Sequence, residues 1–380
     1  MNSIEISNFK NFRNLRIDNL GKVNLIVGKN NAGKSSLLEA VSILAAGGSI
    51  GWLKNLLALR GMPVSYPYDT QDVDSKEKES FLSLYHGYGI LDFKSSPIRI
   101  ASVDTSAQTL FPIESSVDIK LVKVVEVVGI GEDGSEITRR VPKESVDEEA
   151  VISGQPQIAL LVTYNNASRS MYVMGQNARR FFAIEKKTPF EYVRTAEFTG
   201  EKNPDLFDRI ALTDLEPYLI QALHIIDCRI EAINFLKDIR PLSTARVEDT
   251  RVPFVVLSGS TEKYRLSTMG DGINRVLTII LSLLNSRGGI LLIDEFENGL
   301  HYSVQQELWK LISSLASQLD VQVFATTHSN DCIKSFLLAT KDSGDSRLIR
   351  LEKRESGEVA VVYDEADELD YIAENDIEIR

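Results

Sequence analysis

Gly28-Lys-Asn-Asn-Ala-Gly-Lys-Ser35 is the stretch on which the fold turns. It has the form GxxxxGKS, in which Gly28 and Gly33 let the backbone wrap closely around phosphate oxygens with several N–H groups pointing inward. Lys34 then reaches the β- and γ-phosphates as a point charge, and Ser35 places its hydroxyl on Mg²⁺. The surroundings suit such a loop: the apolar run Val23–Val27 reads as the strand before it, and Lys34–Ala46 as the helix after it, closed by Gly47-Gly48. Gly28, Asn30, Asn31, Ala32, Gly33, Lys34, Ser35 and Ser36 are the candidate contacts of this loop with ATP.

Further along, Gly289-Ile-Leu-Leu-Ile-Asp-Glu295 is an apolar run ending in a carboxylate. That describes a buried strand delivering Asp294 to its C-terminal edge, where ligands of open α/β sheets bind. Asp294 is the candidate to hold Mg²⁺ through its water shell, and Glu295 the candidate to polarise an attacking water. Thr326-Thr327-His328-Ser329 follows the apolar strand VQVFA, so His328 stands where it can hydrogen-bond the γ-phosphate and sense its loss. Leu266-Ser-Thr-Met-Gly-Asp-Gly272 opens a helix from Ile273, and Ser267, Gly270 and Gly272 there make a second anion-binding element. Alone that stretch is an ordinary N-cap; its place ahead of Asp294 gives it meaning. Glu297-Asn-Gly-Leu-His301 reads as a turn into a helix.

The remainder sorts by periodicity. Ile4, Ile6 and Phe9, then Phe12, Leu15 and Ile17, read as two strands. Asp69–Ser80 is polar and reads as an exposed loop. Ile98–Met174 is strand-like, with a hairpin turn at Gly131–Gly134 and a charged surface loop at Lys143–Glu149. Pro204–Lys237 has helical apolar spacing, predicting two helices broken near Pro217 or Asp227. Gly289–Ile293, Tyr302–Gln318, Val321–Ala325 and Asp331–Ala339 alternate strand and helix, which implies a parallel sheet with crossover helices. A closing hairpin is expected from Arg347–Glu352 and Val359–Tyr363, before an acidic, solvated tail.

Composition narrows the classes. A net charge of -12 argues against a nucleic-acid binder acting through its whole surface. A local basic surface could still draw on Arg139-Arg140, Arg179-Arg180, Lys186-Lys187 and Arg246, pairs that are usually just solvated. Cys228 and Cys332 are far apart and lack CxxC spacing, which fits a reducing compartment and no zinc site. The opening MNSIEISNFKNF has no apolar signal core, and Ile273–Leu284 is too short to span a bilayer, so a cytoplasmic protein is expected.

The order of these motifs resembles that of the ABC-type ATPases, and within them the soluble RecF, SMC and OLD branch. ISNFKNFRNLRI with GKNNAGKSSLLEA is similar to the amino-terminal signature of that branch. MGDGINRVLTIILSLLN, LLIDEFENGLHYSVQQELWK and VFATTHSNDCIKSF are similar to OLD-family ATPase domains. The signature reads STMGDG where transporter-type heads carry an LSGGQ-like form, and Gln71 is a distant candidate for the glutamine such heads place on Mg²⁺.

The resemblance implies an α/β fold: a P-loop ATPase head with a parallel core sheet, an antiparallel β-subdomain and a mixed α+β insertion. The corresponding division is a head part over residues 1–51, an insertion over 52–245 that in part completes the β-subdomain, and a second head part over 246–380. It also implies a homodimer or higher oligomer, in which Ser267 and Gly270 of one chain face Lys34 and Ser35 of another across ATP. Too little sequence follows Leu338 for the Toprim nuclease domain of OLD proteins. The expected function is therefore an ATP-hydrolysing switch controlling a separate effector, such as a Toprim-type nuclease in antiphage defence. The alternative is a RecF-like, ATP-dependent DNA clamp in repair; a transporter subunit fits the long insertion poorly.

Overall fold

The computed structural model describes residues 1–64, 73–87, 96–104, 113–130, 136–146, 151–174, 186–195, 202–237, 251–270, 272–341, 343–354 and 357–363. The turn at 131–134, Gln71, Arg179, Arg180, Arg246 and the acidic tail beyond Tyr363 lie outside them.

The chain begins with β1 (Ser3–Phe9), β2 (Phe12–Ile17) and β3 (Val23–Val27), then α1 (Lys34–Ala45), α2 (Ile50–Ala58) and α3 (Val73–Leu82). A strand-rich stretch follows: β4 (Ile98–Asp104), β5 (Ile113–Ile130), β6 (Glu136–Pro142), β7 (Val151–Tyr164), β8 (Ser168–Val173) and β9 (Phe190–Val193). Next come α4 (Asn203–Ile210), α5 (Glu216–Leu223), β10 (Ile230–Lys237), β11 (Arg251–Leu257) and β12 (Lys263–Arg265). The last part holds α6 (Gly272–Asn285), β13 (Ile290–Ile293), α7 (Tyr302–Gln318), β14 (Gln322–Thr326), α8 (Asn330–Thr340), β15 (Ser346–Arg354) and β16 (Gly357–Tyr363).

Two compact units divide the chain. The first contains Met1–Asn19 and Asn31–Lys187, with a short return at Glu352–Ala360. Its sheet runs β2-β1-β4-β5-β7-β8, with β6 also paired to β5, and every pairing is antiparallel. The strands of 98–174 thus join the amino-terminal hairpin in one sheet. Helix α1 packs over β1, β4 and β5 and is buried along nearly its whole length, which suits its apolar sequence KSSLLEAVSILA.

The second unit contains Leu20–Asn30, Thr188–Leu351 and the strand end from Val361. Its six-stranded sheet has the order β16-β15-β3-β14-β13-β9, and β15, β3, β14, β13 and β9 run parallel. Strands β3 and β13 are buried at every position, as strands covered on both faces must be, and their sequences VNLIV and ILLI are correspondingly almost wholly apolar. One core runs from these strands through α6, α7 and α8, with Trp309 stacked on Phe296 at 3.9 Å between ring centroids. A small antiparallel sheet, β10-β11-β12, completes the unit.

Two expectations fail, each for a physical reason. The polar stretch expected as a loop at 69–80 contains most of α3, because Glu77 is buried against Lys54 (3.2 Å) and the Tyr172 hydroxyl (2.8 Å). Helical spacing was expected through Lys237, yet Ile230–Lys237 is a strand. A β-bulge between Ile230 and Ala232 adds one residue, so buried Ile230 and Ile233 share a face while three apart, and the spacing imitates a helix.

Candidate functional site

The phosphate loop leaves the end of β3, and its backbone explains its glycines. Gly28 has φ 145° and Gly33, the residue before α1, has φ 99°. A Cβ on Gly33 would lie 2.6 Å from Cζ of buried Phe12, so the left-handed backbone and the space beneath both demand glycine. Asn30 and Asn31 are exposed, Ala32 and Ser35 half-buried, and Lys34 and Ser36 buried. Asn11, in the turn between β1 and β2, staples the loop. Its amide Nδ2 donates to the Asn31 carbonyl (3.0 Å) and Asn31 Oδ1 (3.2 Å), while its Oδ1 accepts from the Ser36 hydroxyl (3.0 Å).

In the second unit, the parallel register brings the C-terminal ends of β3, β14 and β13 to one edge. Gly28 leaves that edge, and Asp294, Glu295 and His328 stand on it. Thr326, fully buried, organises the carboxylates: its hydroxyl donates to Asp294 Oδ1 (2.7 Å) and accepts from the Glu295 N–H (2.9 Å). Glu295 has φ 49°, a left-handed conformation unusual for a side-chain-bearing residue, which turns the chain sharply off the strand. His328 Nε2 lies 4.0 Å from Glu295 Oε1, both side chains being about two-fifths exposed. Glu297 Oε1 accepts the His328 N–H at 2.8 Å and so fixes the histidine loop to the turn after β13. Ser329 caps α8 by accepting from the Cys332 N–H.

The third piece is the start of α6. Leu266 is buried and anchors a single 3-10 turn, whereas Ser267 and Gly270 are exposed. Gly270 has φ 108°, and Gly272 begins the helix where a Cβ would meet the Gly299 carbonyl at 3.1 Å. One turn further in, buried Arg275 donates to the carbonyls of Asp294 and Glu295 (3.0 Å each) and to that of Arg194 (3.3 Å).

The structure therefore gathers Asp294, Glu295 and His328 on one sheet edge and ties them to the helix that Ser267, Gly270 and Gly272 introduce. Sequence reading overlooked Asn11, Thr326, Arg275 and Glu297 as parts of the site. Thr326, first of the Thr-Thr-His-Ser stretch, and Glu297, a carboxylate in the turn after Asp-Glu, left signals that could have been weighed. Of the basic positions, Arg140 pairs with Glu126 (2.9 Å). No helix among the described residues is long and apolar enough to cross a membrane.

The AAA ATPase domain family matches residues 1–98 and 184–333. A Helicobacter pylori protein called ATP/GTP phosphatase is 26% identical over 347 residues, 87% of this chain and 86% of its own length. The DNA replication and repair protein RecF of Heliobacterium modesticaldum is 45% identical over 47 residues, 12% of this chain and 13% of RecF. Among solved structures, the SMC head domain from Thermotoga maritima aligns with 95% of this chain and 98% of its own, at 12% identity and a TM-score of 0.44.

Proposed function

The chain belongs to the AAA ATPase domain family, and from that premise we propose that its ATP cycle joins and separates two heads that clamp DNA. The coarse part is plain: this is an α/β ABC-type ATPase head, similar to RecF over a short stretch, which binds and hydrolyses ATP. What supports the paired heads is one observation: Ser267 and Gly270 are exposed ahead of α6, while Arg275 of that helix holds the main-chain carbonyls of Asp294 and Glu295 at the sheet edge.

In this reading the N–H groups of Gly28 to Ser36 cradle the phosphates and Lys34 neutralises them. Ser35 and Asp294 each offer a hard oxygen donor. That suits Mg²⁺, which takes one or two protein oxygens and keeps waters and phosphate oxygens as its other ligands. Bound there, Mg²⁺ would supply charge neutralisation on the phosphates. Glu295 orients and polarises the attacking water, and His328 hydrogen-bonds the γ-phosphate. Ser267 and Gly270 of a second copy complete the phosphate cage, which makes the assembly at least a dimer when ATP is bound.

DNA as the clamped partner draws on the relatives named RecF. A second output, control of a separate effector such as a Toprim-type nuclease in antiphage defence, draws on the net charge of -12 and on cations already engaged in ion pairs. DNA affinity of the Glu295→Gln protein, measured with and without ATP across a salt series, decides between them. A clamp shows ATP-dependent binding with a steep negative salt slope. Absence of binding refutes the clamp and leaves the effector. Lys34→Ala is expected to lose nucleotide binding, and Glu295→Gln to accumulate ATP-bound dimers; a full hydrolysis rate in the latter removes Glu295 from its role.

A further inference from the structure

Arg275 stands between two pieces of chemistry. It lies one turn into α6, whose exposed start carries Ser267 and Gly270, and its guanidinium reaches the carbonyls of Asp294, Glu295 and Arg194. A planar fork of five donors can span three carbonyls; a lysine ammonium at the end of a flexible stem cannot. The target is the sharp turn at Glu295, with φ 49°, whose other fixed point is the Thr326 hydroxyl. Helix α6 is buried at Ile273, Val276, Leu277 and Ile280, so displacement at its start is carried along a close-packed rod instead of being absorbed locally.

We propose that Arg275 is a positioning residue that couples signature engagement to Glu295 of the same chain, so that filling one ATP site of an engaged pair sets the water-orienting carboxylate of the other. This rests on the shared-site reading above. When the partner's ATP docks on Ser267 and Gly270, α6 shifts, and the guanidinium draws the Asp294–Glu295 turn with it. The two sites then act cooperatively, although each chain binds its own ATP through its own phosphate loop.

The test compares wild type, Arg275→Lys and Arg275→Gln, with melting curves to confirm that each variant is folded. ATP affinity, ATP-dependent dimer formation, kcat, KM and the Hill coefficient of hydrolysis are read for each. Arg275→Lys is expected to keep affinity and dimer formation, to lose about tenfold or more in kcat at similar KM, as lost orienting partners typically cost, and to show a Hill coefficient falling towards one. A folded Arg275→Lys or Arg275→Gln with wild-type kcat and cooperativity overturns the proposal. So does loss of dimer formation, because the brace acts after engagement, and so does a wild-type protein without cooperativity, which needs no variant to fold. Ser267→Arg separates the two levels: a wild-type rate there refutes the shared site itself, whereas an inactive Ser267→Arg beside an unaltered Arg275→Lys refutes only the coupling.

Discussion

Thr326→Val removes one hydroxyl and little else, and the structure gives its cost. The side chain is fully buried, and its oxygen donates to Asp294 Oδ1 at 2.7 Å while accepting from the Glu295 N–H at 2.9 Å. Valine has nearly the same shape, so no cavity opens. What is lost is a hydrogen bond to a charged group, worth about 1.5–3 kcal/mol, and the acceptor of a backbone N–H, worth about 1–3 kcal/mol if left unpaired. Asp294 is only half-buried, so water replaces part of the first loss. The expected destabilisation is therefore about 2–3 kcal/mol, a sizeable share of an ordinary folding free energy. The catalytic consequence is larger, because both carboxylates lose a fixed point, and kcat for ATP should fall by about 10- to 100-fold. KM should change little, since the phosphate loop keeps its own contacts. Phosphate-release kinetics together with melting curves check this, with Thr326→Ser as the hydroxyl-retaining control. A folded Thr326→Val with an unreduced kcat, or a Thr326→Ser as impaired as the valine variant, refutes Thr326 as the organiser of the site.

Gly33→Ala should combine left-handed strain of about 1–2 kcal/mol with overpacking of about 1–3 kcal/mol, since its Cβ would sit 2.6 Å from Phe12 Cζ. A lower melting temperature and lost ATP binding in calorimetric titration are expected; wild-type affinity contradicts the loop geometry. Asn11→Ala releases Asn31 and Ser36 together. Neutral bonds of about 1 kcal/mol each predict weaker ATP binding with kcat preserved, and an unchanged Kd removes Asn11 from the site. Burial raises the Tyr85 hydroxyl from its ordinary 10.0 to about 12. The folded state thus holds a proton that the unfolded chain releases, so this stabilisation is complete below pH 10 and is lost as pH rises towards 12. Tyr85→Phe should flatten the denaturation curve across that window, and an equally steep fall in the variant refutes the assignment.

Legibility followed the range of the interactions. The strand, loop and helix around Gly28 could be read directly because each part is local: an apolar run, glycines where the backbone turns left-handed or approaches closely, then a helix-forming stretch. The parallel strands β13 and β14 announced themselves by apolar runs that only double-sided burial explains. Elsewhere the deciding partner lay far off in sequence. Nothing near Glu77 foretells that Lys54 on α2 and Tyr172 on β8 make it a buried residue of a helix. The bulge at Glu231 likewise depends on pairing with β11, and without it the period of β10 cannot be told from that of a helix.

The same distinction runs through the site, and it has a mechanistic consequence. The residues proposed to meet phosphate, water or metal occupy motif positions, since that chemistry would fix both their type and their place at a strand end or loop. Those that hold them, Asn11, Thr326, Arg275 and Glu297, bind largely to main-chain groups: the Asn31 carbonyl, the Glu295 N–H, the Asp294 and Glu295 carbonyls and the His328 N–H. A brace on the backbone fixes the geometry of the turns directly. Within the second unit the Asp294, Glu295 and His328 turns are thus tied to one another before ATP arrives, which is the condition for electrostatic stabilisation that costs little reorganisation during the reaction. Substitutions at Thr326, Arg275 and Glu297 should therefore lower kcat and spare affinity, whereas those at Lys34 and Asn11, which hold or shape the phosphate loop, should act first on affinity. If Glu297→Gln, which keeps the shape and an acceptor for the His328 N–H, hydrolyses ATP as wild type does while Glu297→Ala loses rate at constant KM, the carboxylate acts by position and its charge is dispensable; equal loss in both assigns it a part in the chemistry.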